Sequence, residues 1–153
     1  MDFPDLPFDD AEDGITFSSI SIDFHAENED VLIDWLNNVA DSENKKIESL
    51  SYIFCSDEYL HKINVDFLDH DTLTDIITFE LGDATDDNIN GEIYISIDRV
   101  RDNAVSLSQD FLTELKRVLV HGLLHLCGYP DKSSEEAMVM RGLEDKYIKL
   151  SIP

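Results

Sequence analysis

The chain has little of what marks several protein classes. Only two of its 153 residues are cysteine, and two cannot build the disulfide framework of a small secreted domain. Cys55 and Cys127 each lie in an apolar segment, YIFC and LLHLC, and form no CxxC pair. Both read as buried reduced thiols without chemistry. No apolar run approaches the roughly 20 residues of a membrane-spanning helix. The opening MDFPDLPFDDAEDG has neither the basic start nor the apolar stretch of a secretory signal. These absences lead to the expectation of a cytoplasmic protein with no membrane partner. Cations are scarce as well. Eleven Lys and Arg face 34 Asp and Glu, a formal charge of −23, and no basic run exceeds the pairs Lys45–Lys46 and Lys116–Arg117. Such a surface repels phosphate backbones at long range, so any nucleic-acid contact must rest on a local site.

What is present suits one folded domain. The hydrophobic content of 42% is ordinary, and a chain this long can bury most of its apolar surface in one core. Residues 1–14 carry six acids and two prolines without a periodic pattern and read as a flexible tail, which leaves 15–153 as the domain. Ile15–Phe24 alternates apolar and polar, the period of a half-buried strand. Asn28 then suits the cap of a helix that places Val31, Leu32, Trp35, Leu36 and Val39 on one face. Residues 47–55 predict a second strand, and Ser56 or Asp57 caps a short helix to about Val65. A polar connection over Asp69–Asp75 leads to a strand at Ile76–Leu81, the turn-forming GDATDDNIN, and another strand over 92–97. Asp98 to Ser106 reads as helix, Ser108 as the cap of a longer helix from Phe111 to Leu126, and Gly128 as its breaker. Ser133 with Glu136 forms a capping box for a last helix to about Leu150. This order predicts an α+β fold: one small mixed β-sheet of about four strands packed with about five helices.

Function concentrates in Val120–Asp131, VHGLLHLCGYPD. His121 and His125 are four residues apart in a helical stretch, so both imidazoles leave the same face one turn apart. That spacing lets two ring nitrogens reach one cation at about 2.0–2.1 Å. Gly128 releases the backbone from the helix, and the returning chain brings Asp131 to the same ion. The pattern HxxxHxxGxxD is close to the HxxxHxxGxxH of metzincin proteases. Three protein ligands leave a fourth position for water, the arrangement of a catalytic zinc at the end of a central helix. A metzincin has Glu after its first His as general base. Gly122 stands there in this chain, which argues against a peptidase.

The segment resembles the hallmark of the YbeY family, H-G-x-L-H-L-x-G-Y-D-H, with Asp131 where the family usually has its third His. Upstream, Asn64–Phe79, NVDFLDHDTLTDIITF, is similar to the family's N-x-x-Y-R-x-x-D-x-P-T-D-V-L-S-F, and Gly91–Ser96, GEIYIS, to its G-D-I-x-I-S strand. The resemblance covers the chain outside the acidic tail. It implies a zinc-dependent hydrolase that cuts single-stranded RNA, tied to the 3′ end of small-subunit ribosomal RNA and to ribosome quality control. Its partners would then be ribosomal RNA and the ribosome or ribosome-associated proteins. It implies one Zn2+ per chain held by His121, His125 and Asp131, with a zinc-bound water as nucleophile. A carboxylate in place of an imidazole adds negative charge and makes the zinc a weaker Lewis acid. Leu68 stands where the family usually has an arginine thought to meet RNA phosphate, and Lys62, Lys132 or Arg141 would have to supply that contact.

Other residues carry less weight. Asp71, Thr74 and Asp75 either line the site and hold a ligand histidine by a hydrogen bond or satisfy backbone groups in a tight loop. Asp71 and Asp75 are the candidate contributors to catalysis. His70 reads as a solvated loop histidine, and Tyr129 and Pro130 as shapers of the turn. Two further functions remain open beside the ribonuclease: a non-catalytic, zinc-containing ribosome-maturation factor, favoured by Leu68 and the acidic surface, and a small-molecule or peptide metallohydrolase, disfavoured by Gly122.

Overall fold

The computed structural model describes residues 14–68, 74–82 and 87–151. Residues 1–13 of the acidic tail, His70 and Asp71, and part of the GDATDDNIN turn lie outside the described residues, while Gly14 already belongs to the first strand. Strands β1 (Gly14–Ser19), β2 (Lys46–Cys55), β3 (Ile76–Glu80) and β4 (Asn88–Ser96) form one sheet in the order β1-β2-β4-β3. β1 and β4 run parallel to β2, and β3 runs antiparallel to β4, which is the mixed sheet predicted. Parallel neighbours need a crossover, and α1 (Glu29–Ser42) supplies it between β1 and β2. α2 (Asp57–Leu68) follows β2, and α3 (Ile97–Ser106), α4 (Phe111–Leu126) and α5 (Ser134–Leu150) follow β4.

Side chains alternate along a strand, so the sheet has two faces. Leu50, Tyr52 and Phe54 of β2 stand opposite Gly91, Ile93 and Ile95 of β4, and this face is buried with Leu36 of α1 and Leu119 and Leu123 of α4. The other face carries Cys55 and Ile77 beneath Leu60 and Ile63 of α2. Fully burying one such aliphatic side chain stabilises by about 1.5–3 kcal/mol, so the larger face supplies most of the apolar stabilisation. Cys55 is buried and Cys127 half-buried, both free. Burial pushes each thiol up to about 12, with nearby carboxylates adding to it. No helix among the described residues is long and apolar enough to cross a membrane.

Two glycines bring α4 close to the sheet. A Cβ on Gly91 would lie 2.9 Å from Leu126 Cδ1 and 2.9 Å from the Phe79 carbonyl oxygen. One on Gly122 would lie 2.8 Å from Ile93 Cδ1 and 3.0 Å from Ile76 Cδ1. Tyr52 adds a buried hydrogen bond, its hydroxyl donating to the Leu119 carbonyl at 2.8 Å.

Several local expectations need correction. The strand predicted to Phe24 ends at Ser19, because Ser21 turns the backbone to φ 65°. Phe24 instead packs edge-on against Phe54 and Phe111. Asn28 precedes α1 in the left-handed region, φ 56°, and its side chain makes no cap bond. Val31 is exposed, and Ala40 joins the buried face. α2 runs past Val65 to Leu68. Ile97 opens α3 rather than ending the strand, since Ser96 Oγ caps that helix by accepting from the Arg99 N–H. Asp110, not Ser108, caps α4, accepting from the Thr113 N–H at 2.7 Å. The capping box of Ser133 and Glu136 forms as expected.

Candidate metal centre

Helix α4 presents two different stripes. Leu115, Leu119 and Leu123 belong to the main core and Gly122 meets the sheet, while Glu114, Arg117 and His121 line a cleft of about 540 Å³. The Gly122 position therefore faces apolar side chains rather than the histidines. An acid there would be buried against Ile93 and Ile76, a physical reason for the missing protease base. After Leu126 the helix unwinds. The Gly128 N–H donates to the His125 carbonyl and the Tyr129 N–H to that of Leu124, and Gly128 takes φ 112°, a conformation that costs glycine little. The turn is anchored from outside. The Tyr129 hydroxyl donates to Glu43 Oε1 at 2.6 Å, and the Tyr147 hydroxyl to the other oxygen of the same carboxylate.

This path returns Asp131 to the two histidines. Its Oδ2 lies 3.2 Å from His121 Nε2 and its Oδ1 3.3 Å from His125 Nε2. One ligand-type atom from each of the three residues lies within 4.8 Å of the other two. The imidazoles stand nearly perpendicular, 86° apart, with centroids separated by 5.1 Å.

Behind this cluster is a set of contacts that local sequence spacing does not reveal. His121 Nδ1 is 2.6 Å from Glu144 Oε2. A carboxylate only accepts, so Nδ1 carries the hydrogen, and Nε2 is the nitrogen turned toward Asp131 and His125, the one a metal would take. Glu144 is in turn held by Arg117 at 3.0 Å, and Arg117 reaches Asp145 at 2.8 Å. The chain Asp145–Arg117–Glu144–His121 thus fixes one ring in the tautomer a metal needs. One signal for it was present in the sequence: Met140, Glu144 and Tyr147 share the buried stripe of α5, and an acid on such a stripe needs a partner. The donor set fits a zinc ion: two imidazole nitrogens, one with its tautomer already set, and a carboxylate.

The remaining candidates divide. Asp75 lines the cleft with His121 and Asp131, and its Oδ2 accepts from Asn103 Nδ2 at 3.5 Å. The hydrogen bond that holds a histidine comes from Glu144 instead. Thr74 Oγ1 donates to the Ile76 carbonyl at 3.3 Å, the backbone-satisfying alternative. Burial raises the Asp75 pKa above the ordinary carboxylate value, more than its own backbone hydrogen bond, His121 and Arg99 lower it. For His121, burial opposes protonation, but the hydrogen bond and charge of Glu144, with Asp131 and Asp75, outweigh it and raise the pKa.

Known proteins are similar to this chain along most of its length. The family described as Endoribonuclease YbeY matches residues 15–151. A protein of that name from Flavobacterium johnsoniae is 51% identical over 128 residues, 84% of this chain and 91% of its own length. Another from Christiangramia forsetii is 47% identical over 135 residues, 84% of this chain and 93% of the relative. The solution structure of a Thermotoga maritima protein is similar with a TM-score of 0.63 at 27% identity, covering 90% of this chain and 88% of that one. With the fold, the HGLLHLCGYPD segment and these relatives in agreement, the chain belongs to the YbeY family of endoribonucleases.

Proposed function

We propose that this protein is a zinc-dependent endoribonuclease that cuts single-stranded RNA in ribosomal RNA maturation, at the 3′ end of the small-subunit RNA, and serves ribosome quality control. Residues 15–153 form its one metallohydrolase domain, and it works in the cytoplasm with the ribosome or ribosome-associated proteins. The observation that supports this reading best is the meeting of His121, His125 and Asp131 within 4.8 Å in a chain whose relatives carry the name endoribonuclease.

His121, His125 and Asp131 would hold one zinc. When bound, it supplies a Lewis acid for a phosphoryl oxygen and lowers the pKa of water at its open position. The protein's own contribution is orientation. Glu144 sets the His121 tautomer, Arg117 keeps Glu144 in place, and the Glu43–Tyr129 bond anchors the turn that carries Asp131. Gly122 supplies no general base. Asp75 is suited to hold a proton near the reacting groups, because it lines the cleft with His121 and Asp131 and burial raises its pKa.

A non-catalytic, zinc-containing ribosome-maturation factor is the second reading, favoured by the −23 charge and by Leu68 at the family's arginine position. Metal analysis paired with an RNA cleavage assay separates the two. The purified protein should hold about one zinc per chain and cut single-stranded RNA, and His125→Ala should lose both. Bound metal with equal trace cleavage by wild type and His125→Ala leaves the binding factor standing. A protein that takes up no transition metal defeats both readings.

A further inference from the structure

We propose that Arg141 and Lys132 hold the phosphates of single-stranded RNA on either side of the His121–His125–Asp131 cluster; this rests on the ribonuclease reading and specifies how its substrate is gripped. A chain of charge −23 has few places to hold a phosphate backbone, and its eleven cations are not equally available. Arg99 is engaged with Asp57 at 2.6 Å, Arg117 with Glu144 and Asp145, and Lys45 with Asp87. Lys116 donates to Ser151, and Arg101 and Lys146 lie over aromatic rings. Arg141 and Lys132 are exposed and stand in no ion pair among the described residues. Each also borders a hollow that contains the candidate ligands.

Their placement is complementary. Arg141, on α5, lines the cleft of about 540 Å³ with His121 and Asp131. Lys132 lines a smaller hollow of about 240 Å³ with His125 and Asp131. The two hollows meet at Asp131, so an extended strand laid across the cluster runs from one cation to the other. The cleft itself directs this path. Asp75, Glu114 and Glu144 also line it, and these acidic side chains disfavour a phosphate deeper inside. A phosphate is therefore kept beside the exposed cation and next to the histidines. The two cations bind phosphate in complementary ways. A guanidinium takes phosphate oxygens through two parallel N–H bonds, and an ammonium acts as a point charge. Together they supply the contact missing at Leu68, the last residue of α2. Neither cation lies near Leu68 in sequence, so alignment alone does not select them over Lys62.

The test uses zinc-loaded full-length protein and a non-cleavable 2′-O-methyl single-stranded oligonucleotide, titrated across a salt series. Each neutralised phosphate contributes about 0.7 to the slope of log affinity against log salt for a single strand. Arg141→Gln and Lys132→Gln should each lower the slope by about 0.7 and weaken low-salt binding several-fold, and the double variant should lose about 1.4. Zinc content should stay at the wild-type level, Arg141→Lys should keep the slope, and Lys62→Gln should behave as wild type. With cleavable RNA the variants should raise KM more than they lower kcat. Wild-type slopes in both glutamine variants, with normal cleavage, overturn this assignment and leave the ribonuclease reading intact. A wild-type protein that neither binds nor cuts single-stranded RNA overturns both.

Discussion

His121 and His125 lie one turn apart on the same helix and reach the two oxygens of one carboxylate, yet their surroundings differ. His121 is the more buried, with side-chain exposure of 21% against 31%. Its second nitrogen is fixed by Glu144, which Arg117 holds in turn. No described residue takes up the second nitrogen of His125. Helical spacing thus makes the two histidines equivalent, and packing makes them unequal. One imidazole is set in place from behind, and among the described residues the other has no such contact to order it before a metal binds.

The strongest test of this asymmetry is removal of the ligands themselves. His121→Ala and His125→Ala should both abolish stoichiometric zinc, measured by elemental analysis after dialysis. Retention of a full zinc by His121→Ala would mean that the ordered ring is not a ligand. Next in size is Arg117→Met. The Arg117–Glu144 pair is almost enclosed, with side chains 11% and 6% exposed, and losing one partner of such a pair costs roughly 3–5 kcal/mol. Urea denaturation of the metal-free variant should show a drop of that order. A loss below about 1 kcal/mol, the level of an exposed pair, would show that Glu144 is not held as described. Glu144→Gln sharpens the comparison further. Its amide can still accept from His121 Nδ1 but no longer carries charge, so zinc affinity measured by chelator competition should fall about 10–100-fold.

A smaller effect concerns the charge at the other end of the His121 side. Burial raises the Glu114 pKa, and Asp75 and Glu144 add to this against the opposing pull of Arg117 and Arg141. A carboxyl with a raised folded pKa contributes its stability fully below the ordinary value of 4.5 and loses it as pH rises through the folded value. Glu114→Gln removes that loss. The variant should be slightly more stable than wild type at pH 7, and the difference should shrink as pH falls toward 4.5. Equal differences at both pH values in thermal melts would show that Glu114 is charged in the fold without penalty.

Much of the fold was legible because local periodicity carried it. Alternation marked the strands, the stripe Leu32–Trp35–Leu36–Val39 marked α1, and Ser133 with Glu136 marked the start of α5. The errors fell where a tertiary contact or a single backbone angle decided. Ser21 ends β1 early through its positive φ, and Phe24 leaves the sheet because the rings of Phe54 and Phe111 receive it. Asp110 displaced Ser108 as a cap, since Ser108 itself adopts φ 55°. Gly122 was read as the absence of a base, but its position was also fixed by the sheet beneath it, which a chain read one residue at a time does not display.

The sequence by itself determined the candidate ligands, because their meeting depends on short-range geometry: a helical repeat of four, a glycine that can turn, and three more residues to Asp131. It did not determine what stands behind or around them. Glu144 lies 23 residues beyond His121, and Glu43 lies 86 residues before the Tyr129 it binds. Arg141 and Lys132 were only two of several cations until packing put them in hollows with the histidines. Contacts at such separations depend on how α1, α4 and α5 pack against the sheet and one another, and only the folded chain fixes that.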